Sequence, residues 1–321
     1  MIRVYRIQKE GVKPGSLNDL GNTLICWADC INPTPEELEE ISEKSKISLN
    51  DLKEALDEEE RPKVYDMENY SLVIVRAPLV EHDEIMTTPI AIFISKNKNN
   101  LISITLKEVS SIHKIRQLIE SKSIDVYDKG ISFFTYRLID EIFNSYFSIL
   151  GTLEENINDI ENEVVGKPDK KIVERIFSVK KTLIYFNRSL TANREVITSI
   201  EKEYVANIDK NNIKRFRTLY NDVTQLIEME NTYRDILTGT LEVYLSSVSN
   251  NLNQVVKTLT IGASFILIPT LIASIYGMNF NTSSPYNMPE LLWEYGYFFA
   301  LGLMALSAVI TYIFFRRKGW M

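Results

Sequence analysis

Two stretches without a charged side chain follow one another at the C-terminal end of this 321-residue sequence, and they constrain its fold more than any other feature. Residues 258–289 contain no Asp, Glu, Lys or Arg, and neither do residues 295–315, runs of 32 and 21 residues. A helix rises 1.5 Å per residue and the hydrocarbon core of a bilayer is about 30 Å thick, so roughly 20 apolar residues span it. Leu259–Tyr276 and Tyr295–Phe315 both meet that requirement. Read instead as buried core helices, they would need partners that residues 258–321 do not supply.

Flanking charge gives the orientation, because basic residues stay on the cytoplasmic side. Lys257 precedes the first stretch and Arg316-Arg317-Lys318 closes the second. The expectation is two spans with both termini cytoplasmic, joined by an outer loop at 279–294 and followed by a basic tail at 316–321. Trp293, Tyr295, Tyr297 and Trp320 stand at the ends of the second span, where aromatic rings favour the headgroup layer.

The net charge is −7, and residues 258–321 hold two Glu against two Arg and one Lys, so residues 1–257 carry −8. Such an acidic part, with no basic run before the tail, gives nucleic acid no electrostatic footprint. The opening Met1-Ile2-Arg3-Val4-Tyr5-Arg6 lacks the apolar core of a signal peptide. Cys26 and Cys30 have no second Cys or His pair to complete a zinc site and read as reduced thiols. His82 and His113 do not cluster, no phosphate-binding Gly-x-x-x-x-Gly-Lys-Ser/Thr loop is present, and Glu58-Glu59-Glu60 reads as a solvated run.

Residues 1–131 read as an α/β domain. Alternating or β-branched patterns predict strands at Ile2–Ile7, Thr23–Ala28, Tyr70–Ala77, Ile90–Ile94 and Leu101–Thr105. Asn32-Pro33-Thr34-Pro35-Glu36-Glu37 predicts a capped helix start, and Ser48–Leu56 a second short helix. From about Ser132 the pattern turns to long helices, a pair over 132–211 and then a stalk over 212–258 entering the membrane. No proline occurs between Asp169 and Ile268, and apolar residues recur at Phe216, Leu219, Val223, Leu226, Tyr233 and Leu237. A single helix over about 212–276 would be roughly 97 Å long and would need the preceding helices or copies of itself as neighbours.

Asn253, Val256, Leu259, Ala263, Leu267, Thr270, Ser274 and Gly277 are spaced three or four apart and share one face of that helix. None is charged and most are small or weakly polar. Such a face lines a pore in a ring of protomers, or lets helices pack closely. The first span (259–278) ends on Tyr276-Gly277-Met278-Asn279-Phe280, with Met288-Pro289-Glu290-Leu291 in the loop behind it and the second span at 295–315. In that placement the Gly-Met-Asn triplet, the Met-Pro-Glu-Leu loop and the basic tail resemble the CorA family of magnesium channels. The stretch Tyr244-Leu245-Ser246-Ser247-Val248-Ser249-Asn250 is also similar to the inner end of that family's stalk helix.

The resemblance implies a homopentamer in the inner or plasma membrane of a prokaryote, with an α/β cytoplasmic domain, a long helical stalk and two C-terminal transmembrane helices. Its partners would be copies of itself, the lipid bilayer and divalent cations. It implies no prosthetic group, Mg²⁺ being both the transported and the regulatory ion, with Co²⁺ or Ni²⁺ as further cargo. Gly277, Met278 and Asn279 would form the selectivity filter and Glu290 would belong to the outer loop. Glu81, Asp83 and Glu84 on a hairpin and Asp222 on the stalk are candidates for the regulatory metal, while Thr218 stands where well-known members carry an acidic residue. A zinc transporter of the same superfamily would carry another residue in place of Met278, and a membrane-anchored sensor would need no particular residue at Asn279. No nucleophile–base pair suggests an enzyme.

Overall fold

The computed structural model describes all residues except 22–24, 83, 97–98, 125, 166–168, 206–207, 282–283 and 285. It divides into two units, Met1–Leu241 and Glu242–Met321.

The first unit is built on a seven-stranded sheet of β1 (Ile2–Gln8), β2 (Gly11–Pro14), β3 (Ile25–Ile31), β4 (Lys63–Asp66), β5 (Tyr70–Glu81), β6 (Glu84–Ser95) and β7 (Asn100–Thr105). The strand order is β2-β1-β3-β7-β6-β5-β4. Only β3 and β7 pair in parallel, with Cys26 opposite Asn100 and Ile31 opposite Thr105. All of β7 and nearly all of β3 are buried, which accounts for their near-continuous apolar runs. On one face, α1 (Pro35–Ser45) and α2 (Leu49–Glu54) bring Leu38, Ile41 and Leu52 against Cys26, Ala28, Ile74, Phe93 and Ile104. The α1 start is a capping box: Thr34 Oγ1 accepts from the Glu37 amide at 3.3 Å, and the Glu37 carboxylate accepts from the Thr34 amide at 2.8 Å.

The other face meets α3 (Ser110–Glu120), α4 (Val126–Val165) and α5 (Lys170–Glu201). Trp27 stacks edge-on against Phe134 of α4 at 5.3 Å. Its indole N–H donates to Ser103 Oγ at 2.9 Å, and that hydroxyl donates to Asp29 at 3.3 Å. Arg116 of α3 completes the chain with a 2.8 Å bond to the same buried carboxylate. Burial pushes the Asp29 carboxyl up and Arg116 pulls it back, so α3 is fixed to β3 by an ion pair that neither partner can leave cheaply.

Pairing of β4 with β5 ends at Lys63 opposite Ile74, so the Arg76 backbone has no strand partner on that side. Buried Asn193 of α5 supplies one. Its carboxamide accepts from the Arg76 amide at 2.9 Å and donates to the Arg76 carbonyl at 2.8 Å, while Tyr146 of α4 donates to that carbonyl at 3.0 Å.

The expected strands are present, with shifts that have physical causes. β3 continues past Ala28 through Asp29 because Arg116 neutralises the buried carboxylate; the expected start, Thr23, lies outside the described residues. β6 begins earlier than Ile90, at Glu84, and pairs with β5 without a break through Pro89, which stands opposite Arg76. The edge strands β2 and β4 were not expected, since four half-exposed residues carry little pattern. Helix α4 starts ahead of Ser132 and kinks at Gly130, whose φ of 77° and ψ of −180° only glycine adopts without strain.

Helix α6 (Lys210–Tyr276) is one 67-residue element, as the unbroken pattern over 212–276 predicts. Its buried stripe in the first unit runs Phe216, Leu219, Val223, Leu226, Glu230, Tyr233, Leu237 and Thr240. Glu230 occupies a position where the period calls for an apolar side chain. One oxygen accepts from Asn187 Nδ2 at 2.5 Å, and the other has no hydrogen bond. Arg234 approaches at 3.8 Å.

Replacing Asn193 by Ala should lower the stability of the first unit by about 1–3 kcal/mol, the cost of leaving buried backbone groups unpaired, measured as a denaturant midpoint by circular dichroism. Burial raises the Glu230 pKa. The folded state therefore holds this proton more tightly than the unfolded state, and stability falls as pH rises from the ordinary carboxylate range through the folded-state pKa. Glu230→Gln should shift the midpoint upward relative to the parent by more at pH 8 than at pH 4; a shift equal at both pH values would contradict the assignment.

Candidate functional site: the membrane hairpin

The second unit contains the remainder of α6 and α7 (Gly296–Arg317), both long and apolar enough to cross a membrane. The two helices are antiparallel and tied at both ends. At one end Lys257 Nζ donates to the Gly319 carbonyl at 3.0 Å and lies 5.8 Å from the Trp320 ring, which stacks on Phe315 at 5.6 Å. Gly319 makes this closure possible, since its φ of 66° turns the chain back at the helix end. At the other end Tyr276 donates to Glu290 at 3.1 Å.

These ties divide the surface of α6. Lys257, Ile261, Phe265, Ile272 and Tyr276 are half-covered, and at about 100° per residue they fall on one side of the helix. Asn253, Val256, Leu259, Ala263, Leu267, Thr270 and Ser274 fall on the opposite side, within about a third of the circumference. All of them are exposed except half-covered Ala263. That face is thus open, as are Ile266, Ile268, Leu271 and Ile275 outside it.

That face ends at Gly277, Met278 and Asn279. The Gly277 amide donates to Ala273 O at 2.9 Å and the Met278 amide to Ile275 O at 3.2 Å, so the helix finishes in a tightening right-handed turn. Gly277 is not among the positive-φ residues, whereas a Cβ there would lie 3.3 Å from the Ala273 carbonyl. Met278 is 50% exposed and Asn279 is exposed beyond it. The loop then bonds Asn287 Nδ2 to the Asn281 carbonyl at 2.8 Å and passes through a 3-10 turn at Pro289–Leu292.

Sequence reasoning missed Gly296. A Cβ there would collide with the Glu290 carbonyl oxygen. The only sequence signal is a glycine between Tyr295 and Tyr297 at the start of an apolar run.

In the first unit, Glu81 and Glu84 face one another across the β5–β6 turn, and Asp83 lies outside the described residues. Each described glutamate has a lysine partner, Lys107 to Glu81 at 2.5 Å and Lys181 to Glu84 at 3.6 Å. The Lys107 hydrogen bond holds the Glu81 carboxyl below its usual range. Asp222 is half-buried on α6, where desolvation raises its pKa. Among the described residues no three His, Cys, Asp or Glu side chains gather as a metal site. Cys26 and Cys30 are free and buried, and burial pushes the Cys26 thiol up to about 11.

An α/β unit, a helix shared between that unit and an apolar hairpin, and an uncharged open face ending in Gly-Met-Asn define a two-span membrane protein of the transporter type. The CorA-like Mg²⁺ transporter family model matches residues 22–317, and the chain belongs to that family. It is 36% identical to the cobalt/magnesium transport protein CorA of Methanocaldococcus jannaschii over the whole of both chains. It is 32% identical to the protein of that name from Thermotoga maritima, over 84% of this chain and 76% of the relative. The complete structure of the M. jannaschii CorA magnesium transporter superposes with a TM-score of 0.89 at 32% identity, over 100% of this chain and 99% of that one. The chain is accordingly an inner-membrane protein with two C-terminal spans and a cytoplasmic α/β part.

Gly296→Ala should destabilise the purified protein by about 1–3 kcal/mol, the usual range for forced overpacking, seen as a lower thermal midpoint in detergent. Gly302→Ala, whose Cβ would meet nothing within 4 Å, should leave the midpoint unchanged.

Proposed function

We propose that this chain assembles as a homopentameric channel carrying Mg²⁺ into the cell, with Asn279 as its filter and the open face of α6 as its pore lining. The observation that carries this reading is the exposed, uncharged face from Asn253 to Gly277 that ends in Gly277-Met278-Asn279. The names of the relatives, cobalt/magnesium transport proteins, support Mg²⁺ as cargo and Co²⁺ beside it.

The chemistry follows from the ion. Mg²⁺ binds its octahedral water shell tightly and sheds it reluctantly. A ring of Asn279 carboxamides offers oxygens that accept hydrogen bonds from those waters without replacing them. Asn253 forms a second polar ring at the inner end, and between the two rings no side chain holds the ion by charge, so it binds weakly enough to leave. A divalent ion gains about 4.6 kcal/mol in crossing 100 mV, so an inside-negative membrane drives influx without nucleotide hydrolysis.

Feedback comes from the acidic cytoplasmic part. Glu81, Asp83 and Glu84 on the β5–β6 hairpin and Asp222 on α6 are the carboxylates at which cytoplasmic Mg²⁺ draws neighbouring protomers together and closes the pore. Glu81, ionised at neutral pH like any ordinary carboxylate, is held by Lys107 until a divalent ion displaces the lysine.

Flux into proteoliposomes loaded with a Mg²⁺-sensitive dye at a fixed inside-negative potential tests the reading. Parent uptake should scale with the potential, and Asn279→Ala should reduce it at least tenfold. Unchanged flux in the variant would remove Asn279 from the filter. Zn²⁺ movement without Mg²⁺ would make the chain a transporter of another divalent ion, and no flux of any divalent ion would leave a membrane-anchored sensor.

A further inference from the structure

The inner end of the α6–α7 hairpin carries four cations, Lys257, Arg316, Arg317 and Lys318, and the sequence has no Asp or Glu at 243–289 or 295–321. We propose that Arg316, Arg317 and Lys318 bind the phosphate headgroups of anionic lipids in the cytoplasmic leaflet, with Trp320 seated among those headgroups. The inference rests on the two membrane spans and uses no residue assigned to the pore or to the regulatory metal.

The two ties of the hairpin give the depth of these residues. Lys257 Nζ donates to the Gly319 carbonyl, and the Tyr276 hydroxyl donates to Glu290. From Lys257 to Tyr276 the helix rises about 29 Å, which matches the roughly 30 Å of a hydrocarbon core. With the span filling that core, the Lys257 tie lies at its cytoplasmic boundary. Residues 316–318 differ by only about 3 Å along the α7 axis, so all three cations stand at the level of the headgroups.

Nothing within the second unit neutralises them. Glu242 precedes Lys257 by about 22 Å of helix, and Glu290 and Glu294 belong to the outer end. Among the described residues none of the four cations has an ion pair. The C-terminal end of α7 carries the equivalent of about half a negative charge, which offsets only a fraction of the three that close it. Arg316 reaches back over Tyr312, 6.0 Å from the ring centroid and 3.4 Å from the hydroxyl, while Arg317 and Lys318 are exposed.

Trp320 adds an independent indication. Its ring is held on Phe315 and beside Lys257 yet stays 41% exposed, and an apolar ring with one polar edge favours the headgroup layer. Guanidinium forks and ammonium groups at that level complement phosphate in charge and shape, and clusters of about four or more Lys and Arg directly cytoplasmic of a span attract anionic headgroups. The outer end, residues 277–296, carries Glu290 and Glu294 and no cation, which confines the attraction to one leaflet.

The test is fluorescence quenching in bilayers that mix phosphatidylglycerol with phosphatidylcholine, one lipid at a time brominated in its upper acyl chain, which reads their relative affinity beside a tryptophan. In Trp293→Phe the membrane reporter is Trp320, since Trp27 is fully buried in the first unit. Trp320 should report at least a threefold preference for phosphatidylglycerol, and Arg316→Gln/Arg317→Gln/Lys318→Gln should bring it close to unity. In Trp320→Phe the outer Trp293 should report no preference. About 1 M salt, where the Debye length is about 3 Å, should abolish the preference without any change of sequence at the cations. Equal affinity for both lipids at Trp320, an unchanged preference in the triple variant or in high salt, or the same preference at Trp293 overturns the proposal. Loss of the preference in millimolar inorganic phosphate at constant ionic strength overturns it too, by assigning the cations to a soluble anion.

Discussion

In hydrocarbon backbone N–H and C=O groups must find their partners within the protein, and α6 meets that demand, save at the Phe265 carbonyl below Pro269, by running unbroken to Tyr276. Because the helix is continuous from Lys210 to Tyr276, one element serves two solvents. Its first half buries a stripe from Phe216 to Thr240 in the soluble unit, and its second half presents an uncharged face and a span. The polar run Ser246–Asn253 between these halves contains neither Pro nor Gly, so it lowers helix propensity without interrupting the hydrogen-bond ladder. The open face, the Gly-Met-Asn end and the tie of Tyr276 to Glu290 are all placed by that helix.

The soluble unit depends on a few buried polar contacts that join distant parts of the chain. Arg116 joins α3 to Asp29, and Asn193 joins α5 to the backbone of Arg76. Neither contact is a large source of net stability, but removing one partner strands the other in a place without water. That asymmetry holds the helices in one register against the sheet, where apolar packing alone would tolerate slippage.

Much of this was legible in the sequence because it depends on local periodicity. The absence of charge marked both spans, spacing by three and four marked the α6 face, and Thr34-Pro35-Glu36-Glu37 marked the start of α1. What was not legible depends on separation along the chain. Asp29 reads as the end of a strand until Arg116, 87 residues later, neutralises it. Arg76 reads as an ordinary strand residue until Asn193, 117 residues later, bonds both its backbone groups. The same holds for the acidic candidates: Glu81 and Glu84 were visible as charges, but their partners Lys107 and Lys181 were not. Gly296 and Gly130 are single glycines whose roles lie in a carbonyl six residues away and in one backbone angle. Those are three-dimensional facts that leave no period behind.

Pro269 lies within the span portion of α6. Having no N–H, it leaves the Phe265 carbonyl without its helical donor, while Thr270 Oγ1 donates to the neighbouring Ile266 carbonyl at 2.7 Å. Elsewhere in the span, bending the axis means stretching an intact bond in a medium that offers no replacement. At Pro269 that bond is already missing, so the helix has one soft joint. It separates Leu259–Leu267 from Thr270–Gly277, and the last two turns of the helix can bend there with less mechanical resistance than at an intact hydrogen bond.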